Sequence, residues 1–164
     1  MRSFTVILAF GSNKGDKKKY IESAYNLVSK IDDTVVIKKS SLYLTKPMGT
    51  INQENYLNSA ILIKTKLVPY KLLKELKKIE EIIGRKKSYR WGPREIDIDI
   101  IEYIGRIVSV DRVDLKIPHI GVKERDFVLI PVLQIVNNRQ MYLDYYKKIK
   151  IAKRNKNKYV FSKI

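Results

Sequence analysis

An α+β fold with an antiparallel sheet is what the order of apolar patterns along this chain predicts. Four segments alternate or are β-branched in the manner of strands, and two segments carry apolar residues at helical spacing. They occur in the order β-α-β-β-α-β, which is the ferredoxin-like plan of an antiparallel sheet with helices packed on one face. The 164 residues suffice for one sizeable core, so we expect a single domain over residues 1–164.

The first strand and helix are predicted by an apolar run followed by turn residues. Residues 4–10 are apolar and β-branched, as in a buried strand. The turn that follows is rich in Gly, Ser and Asn, and Asp16 can cap a helix over roughly residues 17–31. That helix has apolar residues at helical spacing and ends where two aspartates follow it.

Two further strands and a second helix come next. Residues 35–44 and 56–65 have strand patterns, and the segment between them contains proline and glycine, as in a loop. Pro69 stands at the first helical position, where proline is tolerated. An apolar stripe continues from there to Gly84, which ends the helix.

The fourth strand runs from Asp97 to about Tyr103 and is predicted to begin a short hairpin. Residues 104–106 form the turn, and Ile107-Val108 is the expected hairpin partner. A short helical stretch is expected near residues 122–126.

The end of the chain carries weaker patterns. Residues 127–136 are apolar and could form a helix that covers the sheet. Beyond Met141 the chain is basic and weakly patterned. We expect a surface element followed by a solvated tail, and not a membrane anchor.

The net charge is +17, from 34 Lys and Arg against 17 Asp and Glu. A polyanionic partner such as nucleic acid or nucleotide is one interpretation. We favour compositional bias, because lysines are scattered over every segment and the chain is also rich in Ile, Asn and Tyr. The basic cluster within residues 84–94 is the exception, since it is concentrated in one loop.

Cysteine is absent, which excludes a disulfide framework and a thiolate metal site. The apolar run of residues 4–10 is too short for a membrane span, and no small-residue cleavage site follows it. We therefore expect a cytoplasmic protein without membrane association.

Paired carboxylates give the strongest chemical signal. Successive side chains of a strand point to opposite faces, so Asp97 and Asp99 share one face while the isoleucines at 96, 98 and 100 share the other. Two carboxylates in this arrangement suit a hard cation such as magnesium. The alternative is an edge strand with ordinary surface acids.

Basic residues immediately before this strand suggest a phosphate site. Arginine offers a planar fork that matches phosphate oxygens, and metals between acids and phosphates can align an in-line displacement. Solvated surface charge is the alternative. No P-loop motif is present, and the Gly11-Ser12-Asn13 turn is a weak phosphate-loop candidate against a plain strand–helix connection. The basic residues are Arg85, Lys86, Lys87, Arg90 and Arg94.

A pocket for a flat heterocycle is suggested by three other positions. Tyr56 and Asn58 alternate along a strand and share a face, and Phe127 could complete an aromatic sandwich with a hydrogen-bonding end. Core packing is the alternative for both rings. Trp91 lies in a Gly/Pro turn and could stack or pack, and His119 is the only histidine.

These residues fall into blocks that resemble the 6-hydroxymethyl-7,8-dihydropterin pyrophosphokinase family of folate biosynthesis. The most specific block is Arg90-Trp91-Gly92-Pro93-Arg94 with Asp97-Ile98-Asp99-Ile100. The other blocks are Phe10-Gly11-Ser12-Asn13, Ser41-Leu42-Tyr43, Thr45-Lys46-Pro47-Met48-Gly49, Asn55-Tyr56-Leu57-Asn58, Ile79-Glu80, Gly84-Arg85, Pro118-His119 and Arg125-Asp126-Phe127. They occur in family order up to about Leu133, and the basic tail lies outside them.

The resemblance implies the reaction and its cofactors. ATP would give its β,γ-pyrophosphoryl group to the pterin hydroxymethyl, leaving AMP and the pterin diphosphate. Two magnesium ions would sit on Asp97 and Asp99, and loops at 45–54 and 84–94 would exclude water. ATP and the dihydropterin would be the partners of a monomer that binds no specific nucleic acid.

The resemblance also implies residue roles. The catalytic residues would be Arg85, Arg94, Asp97 and Asp99. The ATP-binding residues would be Glu80, Arg85, Trp91, Arg94, Ile100, His119 and Arg125. The pterin-binding residues would be Thr45, Met48, Tyr56, Asn58 and Phe127.

Some positions depart from the family pattern. Lys46 stands where many members have proline, and Ile120 stands where an aromatic residue is frequent. The basic loop is also short, which leaves Lys86 and Lys87 ambiguous as phosphate ligands. A ferredoxin-like RNA-binding module is the alternative function, favoured by the positive net charge. Such modules stack bases on strand aromatics, whereas the best-defined strand here presents aspartates.

Overall fold

A computed structural model describes residues 3–47, 52–86, 89, 92–110, 115–120, 125–154 and 160–164, and the elements named here lie within those ranges. The strands are β1 (Phe4–Ser12), β2 (Thr34–Lys39), β3 (Tyr43–Thr45), β4 (Tyr56–Thr65), β5 (Asp97–Tyr103), β6 (Val108–Val110), β7 (Leu115–Ile117) and β8 (Val160–Lys163). The helices are α1 (Lys17–Val28), α2 (Pro69–Ile83), α3 (Asp126–Ile135) and α4 (Arg139–Arg154).

A six-stranded antiparallel sheet organises the molecule. Its strand order is β5-β1-β4-β3-β8, and β2 also pairs with β4. β1 lies between β4 and β5 and is antiparallel to both. The first strand therefore lies between the two strands that α2 connects, as in the ferredoxin-like plan, and the predicted α+β fold is confirmed.

Helices cover both faces of the sheet, which corrects the expectation of helices on one face. β1 is apolar throughout, so its alternating side chains fill two separate clusters. Val6, Leu8 and Phe10 lie with residues of α1 and α2. Ile7 and Ala9 lie with residues of α3 and α4 on the opposite face.

The predicted start of α1 and the predicted end of α2 are confirmed, whereas α1 ends at Val28 and not near residue 31. The Asp16 carboxylate accepts a hydrogen bond of 3.1 Å from the Lys19 backbone N–H and so caps α1. Gly84 has a φ of 103°, a left-handed conformation that glycine adopts without a Cβ penalty, and it ends α2. The chain leaves the helix there, so Arg85 follows at its C-terminus.

The strand predicted over residues 35–44 is divided into β2 and β3. Ser40 and Ser41 separate them because their polar groups bind outside a regular ladder. The Ser40 hydroxyl accepts from the Ala60 N–H at 2.9 Å, and the Ser41 N–H donates to the Gln134 side chain of α3 at 2.7 Å. The hydrogen bond from Ser41 at this break anchors α3 to the sheet.

The hairpin predicted for Ile107-Val108 has a different partner. β6 begins at Val108 and pairs with β7 in a separate two-stranded sheet, not with β5. β7 then leads directly to His119, whose backbone N–H donates to the Ile101 carbonyl of β5 at 2.9 Å. The small sheet thus places the histidine beside the strand that carries the aspartates.

The segment beyond Met141 is built into the fold, which corrects the expectation of a solvated tail. α4 buries Tyr145 and Ile149 against the sheet, and the Tyr145 hydroxyl donates a hydrogen bond to the Glu102 carboxylate. β8 extends the sheet by pairing with β3. None of the helices in the described ranges combines the length and apolar character needed to cross a bilayer.

Replacement of Ile149 tests the packing of α4. Ile149→Ala lowers the free energy of unfolding by about 3 kcal/mol, because it removes a buried side chain and leaves a cavity. Ile151→Ala is the matched control, since Ile151 is 52% exposed on the same helix, and we expect a change below about 0.5 kcal/mol. Urea unfolding followed by circular dichroism measures both. Equal, small effects would contradict the packing.

Candidate functional site

A pocket opens on the sheet face that also carries α3, above four strands. Its lining residues come from β1, β3, β4 and β5, from the segments around them, and from the start of α3. They include Thr45, Lys46, Pro47, Gln53, Tyr56, Asn58, Arg94, Asp97, Asp99, His119, Arg125 and Phe127. Most of the site residues predicted from the sequence therefore meet in one place.

Gly11 lies between the two halves of this pocket. In the sheet register it stands opposite Asn58 on β4 and opposite Asp97 on β5. Directly paired residues share a face of the sheet. The Asn58 amide and the Asp97 carboxylate therefore project from the same face on either side of Gly11, which has no side chain. We call the half around Tyr56, Asn58 and Phe127 the aromatic end, and the half around Asp97 and Asp99 the charged end.

Asp97 is held by two arginines. Arg85 Nη1 donates to Asp97 Oδ1 at 2.8 Å, and Arg94 Nη1 donates to Asp97 Oδ2. Burial alone would raise the pKa of Asp97, but the two guanidiniums lower it below its ordinary value. The carboxylate is therefore kept ionised, as a metal ligand must be.

Asp99 has the opposite environment. It is half-buried beyond Asp97 on the same face, and burial together with the charge of Asp97 raises its pKa, an effect that His119 partly offsets. Within the described residues its carboxylate makes no hydrogen bond or ion pair. A cation at this end would stabilise the ionised form of Asp99.

The two aspartates fit the requirements of magnesium. Their oxygens are hard ligands, and magnesium is commonly bound by one or two carboxylates that leave other positions to water and phosphate. Across the described part of the chain, no group of three or more His, Cys, Asp or Glu residues could hold a metal ion by itself. A metal here would therefore need oxygens from a bound phosphate or from water.

Glu80 supports the charged end from beneath. It is only 2% exposed, and its Oε1 accepts from the Ile98 N–H of β5 at 2.7 Å. It also accepts from Lys77 and from Arg85. Burial raises the pKa of Glu80, and Lys77 is the largest opposing influence. The side chain joins α2 to β5 and does not line the pocket.

The aromatic end is ordered by a buried hydrogen bond. Asn58 Nδ2 donates to the Thr45 hydroxyl at 2.6 Å, which fixes the orientation of the amide. Tyr56 and Phe127 line the same pocket, and the Arg125 guanidinium lies 5.9 Å from the centre of the Phe127 ring. Thr45, one of the residues expected to bind the pterin, therefore contributes its side chain to the order of this end.

Two polar residues that were not among the predicted site residues hold the segment before β5. Asn13 is buried, and its Oδ1 accepts from the Arg94 N–H at 2.8 Å while its N–H donates to the Arg94 carbonyl at 3.1 Å. Glu95 is also buried and accepts from Lys14 Nζ at 2.6 Å and from the Lys86 N–H at 3.3 Å. Gly11 and Ser12, predicted as part of a turn, belong to β1, and Asn13 directly after this strand positions Arg94.

Three described residues of the predicted site, Glu80, Arg85 and Ile100, do not line the pocket, and two others lie outside the described residues. The Ile100 side chain is buried in the cluster with α1 and α2, on the sheet face opposite the pocket. Met48 and Trp91 lie outside the described residues, as do Lys87 and Arg90. Arg85 reaches the charged end through Asp97.

The model of the family described as 7,8-dihydro-6-hydroxymethylpterin-pyrophosphokinase (HPPK) matches residues 7–137. A protein of Aquifex aeolicus named 2-amino-4-hydroxy-6-hydroxymethyldihydropteridine pyrophosphokinase is 42% identical over 135 residues, which cover 82% of this chain and 81% of the relative. The protein of the same name from Haemophilus influenzae is 37% identical over 82% of both chains. The chain belongs to this family.

Solved structures agree on the fold. A crystal structure described as HPPK-DHPS in complex with substrates aligns with a TM-score of 0.67 at 16% identity, covering 96% of this chain. A Plasmodium falciparum HPPK-DHPS with pterin and p-hydroxybenzoate aligns with a TM-score of 0.64 at 15% identity. This chain spans 45% of the first of those polypeptides and 46% of the second.

Gly11→Ala tests the close approach of Gly11 and the Asn58 amide at the centre of the pocket. An added Cβ would stand 2.9 Å from Asn58 Oδ1, so the amide must move away from Thr45. We expect the free energy of unfolding to fall by about 2 kcal/mol, which is typical of overpacking.

Asn58→Ala in the Gly11→Ala background is the control. Removing the amide removes the clash, so the double variant loses at least about 1 kcal/mol less than the sum of the single variants. Urea unfolding supplies the four values of the cycle. Additive effects would show that the methyl group and the amide do not meet.

Proposed function

We propose that this protein transfers the β,γ-pyrophosphoryl group of ATP to the hydroxymethyl group of 6-hydroxymethyl-7,8-dihydropterin. AMP and the pterin diphosphate are the products. Membership of the pyrophosphokinase family supports this activity. The structural observation that carries it is the pairing across Gly11, which sets a hydrogen-bonding aromatic end beside two carboxylates flanked by arginines.

The aromatic end binds the pterin in this proposal. Tyr56 and Phe127 offer apolar ring surfaces for a flat heterocycle. Asn58 presents a carbonyl and an amide to the ring edge, and its bond to Thr45 keeps that amide oriented before the substrate arrives. Fixed partners lower the ordering cost of binding. Met48 stays a predicted contact.

The charged end binds the triphosphate. Arg85 and Arg94 lie on Asp97 here, and each guanidinium can move from that single carboxylate to phosphate oxygens of greater charge. His119, which follows β7, and Arg125, at the start of α3, both line the pocket and would contact the nucleotide. Glu80 acts from below by holding β5, while Trp91 and Ile100 stay predicted nucleotide contacts.

Asp97 and Asp99 would hold magnesium at this end. The metal would neutralise charge on the phosphates and lower the pKa of the coordinated hydroxyl. The aspartates and arginines supply fixed charges around the reacting phosphorus, and such positioning is the main protein contribution to phosphoryl-type transfer. The number of ions, two in the prediction, stays part of the proposal.

The reaction is an in-line displacement at the β-phosphorus. The hydroxymethyl oxygen forms a bond to this phosphorus while the bond to the bridging α,β-oxygen breaks. AMP leaves with the bridging oxygen, and the hydroxyl proton is released. The two ends of the pocket hold the reactants in a fixed orientation for this step, which replaces a random bimolecular encounter.

The alternative of an RNA-binding module is not supported. The family and its named relatives are pyrophosphokinases, and α3 packs on the sheet face that carries the strand aromatic Tyr56. The single domain, the monomeric state and the cytoplasmic location expected from the sequence stay predictions.

Asp97→Asn and Asp99→Asn test the metal assignment. Each exchange keeps the shape of the side chain and removes an anionic ligand, so we expect AMP formation to fall at least about 100-fold. The free energy of unfolding of Asp99→Asn should not fall, because a neutral amide relieves the repulsion from Asp97. AMP is measured by chromatography with ATP, magnesium and the reduced pterin.

Asp144→Asn is the control, since this exposed aspartate on α4 contacts only Gln140 in the described structure. It should turn over at the wild-type rate. Near-normal rates for either pocket variant would refute the metal assignment. A wild-type protein that forms no AMP from fresh substrates would refute the proposed function itself.

A further inference from the structure

Glu80 is a buried carboxylate with two cationic partners, and only one of them belongs to the proposed catalytic set. Arg85 Nη1 is shared between Glu80 and Asp97, whereas Lys77 Nζ lies 2.9 Å from Glu80 Oε1 and 3.0 Å from Oε2. We propose that Lys77 is a positioning residue: it remains as the counter-ion of Glu80 and so frees Arg85 to bind the nucleotide triphosphate. The inference rests on the proposed function of the charged end.

The need for a second cation follows from the burial of Glu80. A buried charge that loses its only partner is strongly destabilising, because it has lost its hydration and gained nothing in return. Glu80 is 2% exposed, and its remaining bond to the Ile98 N–H satisfies an oxygen but does not neutralise the charge. Without Lys77, movement of Arg85 to a phosphate would leave that charge uncompensated.

The position of Lys77 suits it to stay while Arg85 moves. It lies three residues before Glu80 on α2, so the two side chains are neighbours on one helix surface. Its ammonium lies within hydrogen-bond distance of both carboxylate oxygens of Glu80. Its side chain is 44% exposed, so solvent can hydrate the rest of the ammonium group. Arg85 follows the glycine that ends α2 and is not part of the helix.

Lys77 also contributes charge to the site without contacting it closely. Its Nζ lies 4.0 Å from Asp97 Oδ1, beyond the length of a hydrogen bond. Lys77 is absent from the residues that line the pocket. Lys77 therefore acts through Glu80 and not by direct contact with substrate, and the two actions can be separated experimentally.

Lys77→Met tests the inference. Arg85 would then be the only cation on Glu80, so the fold should persist while Arg85 is withheld from the phosphates. We expect the affinity for magnesium with a non-hydrolysable ATP analogue to fall by about tenfold, and kcat/KM for ATP to fall by a similar factor. Calorimetry and AMP formation measure the two. Lys77→Arg should retain wild-type values.

Lys78→Met is the matched control. Lys78 is the next residue on α2, is 62% exposed and pairs only with Glu75 in the described structure. This substitution removes one positive charge, as Lys77→Met does, but leaves the partners of Glu80 in place. Analogue affinity and turnover should therefore be unchanged. An equal loss in Lys78→Met would overturn the inference, because net charge alone would then explain it.

The decisive comparison repeats Lys77→Met in the Glu80→Gln background. The glutamine carbonyl can still accept from Ile98, but it has no charge that could retain Arg85. The effect of Lys77→Met on analogue affinity should then shrink to less than about twofold. A full loss in this background would mean that Lys77 acts on the nucleotide directly, and a Lys77→Met protein like wild type would mean that it does nothing; both overturn the inference.

The binding measurement also separates this inference from the proposed function. If the wild type forms no AMP but its analogue affinity depends on Lys77 only when Glu80 is present, the activity is wrong and the positioning role stands. If AMP forms normally and analogue affinity is independent of Lys77, the proposed activity stands and the positioning role of Lys77 is wrong.

Discussion

Burial of β1 on both sides is the constraint on which the other features of this structure depend. An apolar strand with two antiparallel neighbours cannot satisfy both of its faces with one layer of helices. The sheet therefore carries α1 and α2 on one side and α3 and α4 on the other. The same central position brings β4 and β5 to the same stretch of β1, where Gly11 separates Asn58 from Asp97.

Charge balance at the pocket follows from that arrangement. The strand that supplies Asp97 and Asp99 is joined to α2 through Glu80, so three carboxylates lie close together. Lys77 of α2 and the arginines at the two ends of the basic loop, Arg85 and Arg94, offset them. In this structure the cations lie on protein carboxylates, which would compete for them with the proposed triphosphate.

Local patterns predicted the parts of the fold that depend on neighbours in sequence. The limits of β4, the cap at Asp16 and the end of α2 at Gly84 follow from periodicity and capping chemistry, and the common face of Asp97 and Asp99 follows from strand geometry. Pairing between segments that are distant in sequence could not be predicted from local patterns. α4 buries only a few side chains in a basic segment, and β8 pairs with a strand more than a hundred residues away.

The supporting residues of the site were missed for the same reason. Asn13 and Glu95 are ordinary polar residues until the fold brings Arg94 and Lys14 to them. One signal was present in the sequence: the unbroken apolar run of β1 is typical of a strand covered on both faces. It predicts a second helical layer, and residues beyond Met141 are the segment that completes it.

The alternating side chains of β1 also couple the two helical layers in unfolding. Neither apolar cluster can open fully without exposing a strand whose other face belongs to the second cluster. Cooperative units of this kind lose their protection together. A molecule bound among the strands on the α3 side therefore stabilises α1 and α2, which it does not touch, since ligand binding to the native state raises the stability of the whole unit.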